Sequence, residues 1–189
     1  MSKDLLRNLL RRLGLVRAQA PHAGADAEVL SDIPLLVQTG RVDEAEARLR
    51  ACIASDATTV DALHYLGLIC HQSGRHEEAV RHIAAAVALA PQLAFLRSNF
   101  AEALRAAGDP AAAEREARTA LSLDAVQASA QFNLAAILAA RNAREEALEH
   151  ALRALGSSPD WVEALLLSAN LYIAPVSYTH LTLPTNREV

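Results

Sequence analysis

VDALHYLGLICHQSGRHEEAVRHIAAAVALAPQL, residues 60–93, decides the fold, because its pattern returns at a fixed interval on both sides. With Val60 as the first position, the eighth holds Gly67, then Ala101, Ala135 and Ala169 at successive steps of 34. The twentieth position holds Ala45, Ala79, Ala113 and Ala147, and the twenty-seventh Cys52, Ala86, Ala120 and Ala154. Small residues at fixed sites let two helices approach closely while larger neighbours fill the remaining space. Within the unit, Leu63, Leu66 and Cys70 form one apolar stripe at helical spacing, and Ala79, Ile83, Ala86 and Val87 form another. Gly74 between them reads as a left-handed cap, and Pro91 closes the second helix. Each unit is therefore an antiparallel helix pair, and its two stripes require stacking on neighbours.

This period and these positions resemble the tetratricopeptide repeat, in which a small eighth residue, alanines at the twentieth and twenty-seventh and a proline near the thirty-second recur; here they are Gly67, Ala79, Ala86 and Pro91. The resemblance implies an all-α fold, a right-handed superhelical solenoid of helix-turn-helix repeats. It covers residues 26–175, as units 26–59, 60–93, 94–127 and 128–161 and a half unit 162–175. Leu63, Arg97 and Gln131 depart from the pattern where the family usually has tryptophan. Ala117 and Ala151 stand where it usually has a larger ring, so the later units are expected to pack more thinly or more closely.

Composition agrees with a helical array. About forty of the 189 residues are alanine, which suits close-packed helices, and the few aromatics argue against a large apolar cavity. Net charge is −4, yet residues 1–20 carry five Lys or Arg against Asp4, or +4, which leaves −8 elsewhere. A mildly acidic array lacks the basic groove that phosphate binding needs, so no nucleic acid is expected as partner. Cys52 and Cys70 fall on apolar stripes and read as buried free thiols. No apolar run reaches membrane-spanning length and no complete signal peptide is present, so the expected location is cytoplasmic.

In chain order, residues 1–18 place Leu5, Leu6, Leu9, Leu10 and Leu13 at helical spacing among Arg7, Arg11 and Arg12. This basic amphipathic helix either makes weak contact with an anionic membrane surface through residues 2–18, or packs on the array or frays. Residues 19–25, with Pro21 and Gly24, read as a linker. In the first unit Pro34 is expected to kink the helix or restart it near Ser31 and Asp32. Gly108, Asp109 and Pro110 read as cap, N-cap and first helical residue, and the fourth unit turns at Asn142. From Val176 the text VSYTHLTLPTNREV loses the repeat pattern and resembles the translated read-through of a transposon-type sequencing adapter. On that reading residues 176–189 are a non-native tail and the chain is a truncated N-terminal fragment. Leu165, Ala169 and Tyr172 then lack a covering helix, and the uncapped last repeat offers a surface for self-association.

Chemistry-bearing motifs are missing. The pairs His71 with His76 and His64 with His71 lack metal-ligand spacing, and their side chains are expected at the surface or in a groove; no metal or cofactor is implied. Glu77 with Glu78 and Glu145 with Glu146 read as first-turn residues on solvated faces. Without a phosphate loop, nucleophile elbow or paired carboxylates, this segment does not read as an enzyme.

What such repeats offer is a concave groove lined by the first helices, where an extended protein or peptide ligand can lie. Groove-facing register positions give Asp61, His64, Tyr65, Leu68 and His71, then Phe95, Asn99, Glu102 and Arg105, then Phe132 and Asn133. Asn99 and Asn133 share a position, so their amides either grip a ligand backbone or bond within their own units. The expected function is a protein-protein interaction scaffold. The same stretch also resembles the repeats at the front of bacterial SPINDLY-type O-linked N-acetylglucosamine transferases and of repeat-bearing sulfotransferases and methyltransferases. That resemblance implies the alternative, a substrate-recruiting arm of a larger glycosyltransferase, sulfotransferase or methyltransferase, with Asn99 and Asn133 as rungs of an asparagine ladder.

Overall fold

The structure, a computed structural model, describes residues 30–56 and 59–173. The amphipathic stretch 1–18, the linker 19–25 and the tail 176–189 lie outside the described residues. Among the described residues there is no strand, and nine helices follow in order: α1 (Ile33–Gln38), α2 (Val42–Ser55), α3 (Val60–Gln72), α4 (His76–Leu89), α5 (Ala94–Ala106), α6 (Pro110–Leu123), α7 (Ala128–Ala140), α8 (Arg144–Ser157) and α9 (Val162–Ile173).

The turn inside each pair is built the same way four times. Gly40, Gly74 and Gly108 have φ of +78°, +75° and +87°, and Asn142 takes the equivalent place at +60°. A positive φ is natural for glycine and tolerable for asparagine, and it lets the chain reverse with a backbone bond reaching back over the helix end. Those bonds are Arg41 N to Leu36 O, Arg75 N to Cys70 O, Asp109 N to Leu104 O and Ala143 N to Leu138 O, at 2.8–3.0 Å. The next helix starts on an acidic first turn in α2, α4 and α8. In α6 the start is instead fixed by Asp109, whose carboxylate accepts from Ala112 N at 2.9 Å, with Pro110 as first residue. The restart expected at Pro34 is also present, since α1 begins at Ile33 after Asp32.

The repeating small residues lie at the helix crossings. Ala45, Ala79, Ala113 and Ala147, and likewise Ala86, Ala120 and Ala154, are wholly buried. A Cβ on Gly67 would come within 2.4 Å of Ile83 Cγ1, so this crossing of α3 and α4 closes only around glycine. In the next two pairs the same register positions hold Ala101 with Ala117 and Ala135 with Ala151, all fully buried. A small residue on both sides replaces nothing against large, which is how the alanines expected to make the packing thinner or closer are accommodated. Cys52 and Cys70 are buried free thiols, as expected.

Helices pack on their sequence neighbours, and the first helices α3, α5, α7 and α9 also touch one another in succession. The second helices approach each other less closely, so the first helices form the inner layer of a curved stack. On α9, Ala164, Ser168 and Leu171 are buried, whereas Leu165, Leu166, Ala169, Tyr172 and Ile173 are exposed, Tyr172 to 76%. Among the described residues no helix lies over this face, and residues 176–189 are outside them.

Candidate functional site

The inner layer carries all the residues expected to line a groove, but at two depths. Arg105 is exposed, and Asp61, Tyr65, His71, Phe95, Glu102 and Phe132 are partly exposed. His64, Leu68, Asn99 and Asn133 are buried, the two asparagines to 4% and 2% exposure. Helical periodicity puts all of them on one face, yet each first helix must use part of that face against the next first helix.

The deeper set stitches the inner layer together. Asn99 Nδ2 lies 2.7 Å from His64 Nε2, linking α5 to α3. With the amide nitrogen as donor the imidazole nitrogen accepts, so His64 is the neutral tautomer with its proton on Nδ1. One repeat on, Asn133 Nδ2 donates to Ser98 O at 3.0 Å, linking α7 to α5, and beside it Ser98 Oγ donates to Ser129 Oγ at 2.8 Å. The amide donors therefore bond across unit boundaries, a partner that neither sequence alternative provided. Above this floor the His64 ring meets Tyr65 at 5.8 Å and Phe95 at 5.4 Å between centroids. Phe132 packs on Trp161 at 4.5 Å. Half-exposed aromatic rings thus recur along the inner layer, one group per repeat.

A second set of polar residues escaped the sequence reading. Arg97 and Gln131 share the place where Leu63 sits in α3, and each reaches two partners. Arg97 donates to Pro91 O at 2.7 Å and pairs with Glu116 of α6 at 2.7 Å. Gln131 donates to Ala125 O at 2.8 Å and accepts from His150 Nδ1 of α8 at 2.6 Å. Both tie the preceding loop to the second helix of their own pair. Of the histidines expected at the surface or in a groove, His64 is buried and hydrogen-bonded, and His150 is buried and hydrogen-bonded in the same way. Burial holds the His150 imidazole below its usual pKa, with Arg153 adding to the effect; burial does the same for His82, with Arg50 adding.

The outer layer is joined by ion pairs. Arg75 meets Glu46 at 2.5 Å and Glu78 at 2.9 Å, while Arg50 bridges Glu46 and Glu78. Two repeats on, Arg118 bridges Glu114 and Glu146. Glu78 is thus half-buried between arginines, where a solvated face was expected. The Arg75 guanidinium, helped by Arg50, draws the Glu46 pKa down to about 2 against the opposing effect of burial. Burial pushes the Cys70 thiol up to about 11, which leaves it a poor nucleophile. Among the described residues no group of three or more His, Cys, Asp or Glu is arranged to hold a metal ion, and no helix is long and apolar enough to cross a membrane.

Comparison with known proteins gives the repeat its family. The tetratricopeptide repeat model matches residues 33–94 and 99–160. No curated protein matches the chain significantly. Similar solved structures include the crystal structure of MamA, at 19% identity over 76% of this chain and 84% of that one, with a TM-score of 0.66. YrrB, a TPR protein with an unusual peptide-binding site, is 15% identical over 90% and 83%, with a TM-score of 0.62. The first TPR of Spaghetti (RPAP3), bound to the HSP90 peptide SRMEEVD, is 24% identical over 65% and 97%, with a TM-score of 0.59. Identities this low speak for the fold alone, a right-handed superhelical solenoid, and with the family model covering both halves of the helical array the chain belongs to the tetratricopeptide repeat family.

Proposed function

We propose that the chain is a protein-protein interaction scaffold that holds an extended peptide along the inner layer of its first helices. The observation that carries this is the succession of half-exposed rings, Tyr65, Phe95 and Phe132, one per repeat on a face set by the solenoid. Rings with a polar or cationic neighbour are the residues that most often dominate peptide recognition, and Arg105 and His71 stand on the same face. Two of the structural relatives bear on this reading: Spaghetti was solved with a peptide bound and YrrB is described as having a peptide-binding site. His64, Leu68, Asn99 and Asn133 form the floor that keeps these side chains in register, and Asp61 and Glu102 flank it.

The test is titration of a peptide library against the wild type and the variants Tyr65→Ala and Arg105→Glu, with thermal melts alongside. Binding should weaken by about tenfold in each, because truncating one anchor removes on the order of 1–2 kcal/mol. Unchanged affinity in both would sink the groove reading. The alternative of a transferase arm leaned on Asn99 and Asn133 as ladder rungs, and no other observation favours it.

A further inference from the structure

His71 near the end of α3 and His76 at the start of α4 flank the Gly74 turn, and their ring centroids lie 5.2 Å apart at an interplanar angle of 53°. The Nδ1 atom of each ring is buried and has no hydrogen-bond partner. Two such atoms in one turn are costly, since a buried imidazole nitrogen that meets no protein partner gives up solvation without return from the fold. On the far side of the His71 ring, Nε2 lies 3.7 Å from Glu102 Oε1 of α5. A carboxylate there favours the tautomer with the proton on Nε2, which leaves the Nδ1 lone pair free to bind.

We propose that His71 and His76 form a two-nitrogen site for a borderline divalent transition-metal ion, Zn²⁺ or Ni²⁺, with Glu102 as the carboxylate that orients His71. The ring separation fits: with nitrogen-to-metal bonds of about 2.1 Å and a tetrahedral angle, two imidazole centroids on one ion stand roughly 5 Å apart. Imidazole nitrogens select such ions over Mg²⁺ and Ca²⁺, which prefer oxygen. Among the described residues only two protein ligands are present, so water completes the coordination and the site is weak and exchangeable. Access is available, because the His71 side chain is 18% exposed and His76 lines a recess of about 460 Å³ together with Gly74, Arg75, Glu77 and Glu78. The site forms from the α3–α4 turn and its neighbour α5, and it holds whether or not the inner layer binds a peptide.

The test is titration of the tag-free full chain with ZnCl₂, and separately with MgCl₂, read by calorimetry and by the ring-nitrogen NMR shifts of the histidines. One equivalent of Zn²⁺ should bind and move the Nδ1 resonances of His71 and His76. His71→Gln and His76→Gln should each lower the affinity about tenfold or more, Glu102→Gln by a smaller factor, and His82→Gln not at all. Nδ1 resonances that stay in place in the wild type, affinities in the His71 and His76 variants equal to that of the wild type, or an equal response to Mg²⁺ would each overturn the site. The NMR measurement on wild type decides the matter even where a variant fails to fold.

Discussion

At the scale of single residues, the eighth register position shows how one atom sets a helix crossing. In an exposed helix, replacing glycine by alanine stabilises by about 1 kcal/mol. At Gly67 the added methyl would enter the space of Ile83, with the Ile83 backbone nitrogen only 3.3 Å away, so little relief is available. Gly67→Ala should therefore destabilise, by about 1–3 kcal/mol, as overpacking does. Ile83→Ala alone should cost about 2–4 kcal/mol through its cavity, yet the double variant restores the alanine pair seen at Ala101 and Ala117 and should cost at least ~1 kcal/mol less than the sum. Additive losses in urea melts would show that the two positions are not coupled. Asn133→Ala makes a second case. It removes a buried donor to Ser98 O and should lower stability by about 1–2 kcal/mol with helix content unchanged, whereas an amide reserved for a ligand backbone would leave the melting temperature alone.

At the scale of helices, stability is divided between an apolar crossing inside each pair and polar links between pairs, and the outer links carry the response to pH. In the unfolded chain the Glu46 carboxyl titrates near its ordinary value of 4.5, and in the folded protein near 2. Between those values the unfolded chain holds more protons, so this contribution is complete above about pH 4.5 and is lost as the pH falls towards 2. His150 and His82, held below 6.5 in the folded state, act with the same sign: their contribution is complete above about 6.5 and declines as the solution becomes more acidic. Chemical denaturation from pH 7.5 to pH 3 should show stability falling in two stages, and Glu46→Gln should flatten the lower stage by about 1–3 kcal/mol. An unchanged lower stage would remove Glu46 from the acid response. The links also mark where the sequence could be read and where it could not. Gly74, Gly108 to Pro110 and Asn142 announce their turns because each conformation admits few residue types. Arg97 with Glu116 and Gln131 with His150 recur at one pair of register positions, so comparing repeats could have found them. The burial of Asn99 and Asn133 has no such signal, because a period of 3.6 assigns a face and not whether that face meets solvent or the next helix.

At the scale of the whole molecule, a stack in which each pair touches only its neighbours distributes stability along the array instead of concentrating it in one core. The core is accordingly divided: one buried cluster runs from α1 to α5 and another joins α5 through α9. The pairs α3/α4, α5/α6 and α7/α8 are packed on both sides, whereas α1 has only six residues and α9 buries three side chains and exposes six apolar or small ones. Arg144 donates to Asn170 O and Leu171 O, which ties down the carbonyl end of α9 but covers none of that face. Opening should therefore proceed from α1 and α9 inward. Native-state hydrogen exchange would give the lowest protection in those two helices and the highest at the crossings around Ile83, Leu96 and Leu134, each of which is almost wholly buried. The outer ion pairs sharpen the expectation. Arg50 joins α2 to α4 and Arg118 joins α6 to α8, but the equivalent places between α4 and α6 hold Ala84 and Ala112. If opening divides the interior at all, it should divide there. Ala84→Arg with Ala112→Glu should then raise the protection of α4 and α6 together, by no more than about 0.5–1 kcal/mol for an exposed pair. A uniform rise across all helices, or none, would show that the outer layer does not set the junction strength and that the first-helix contacts alone hold the array together.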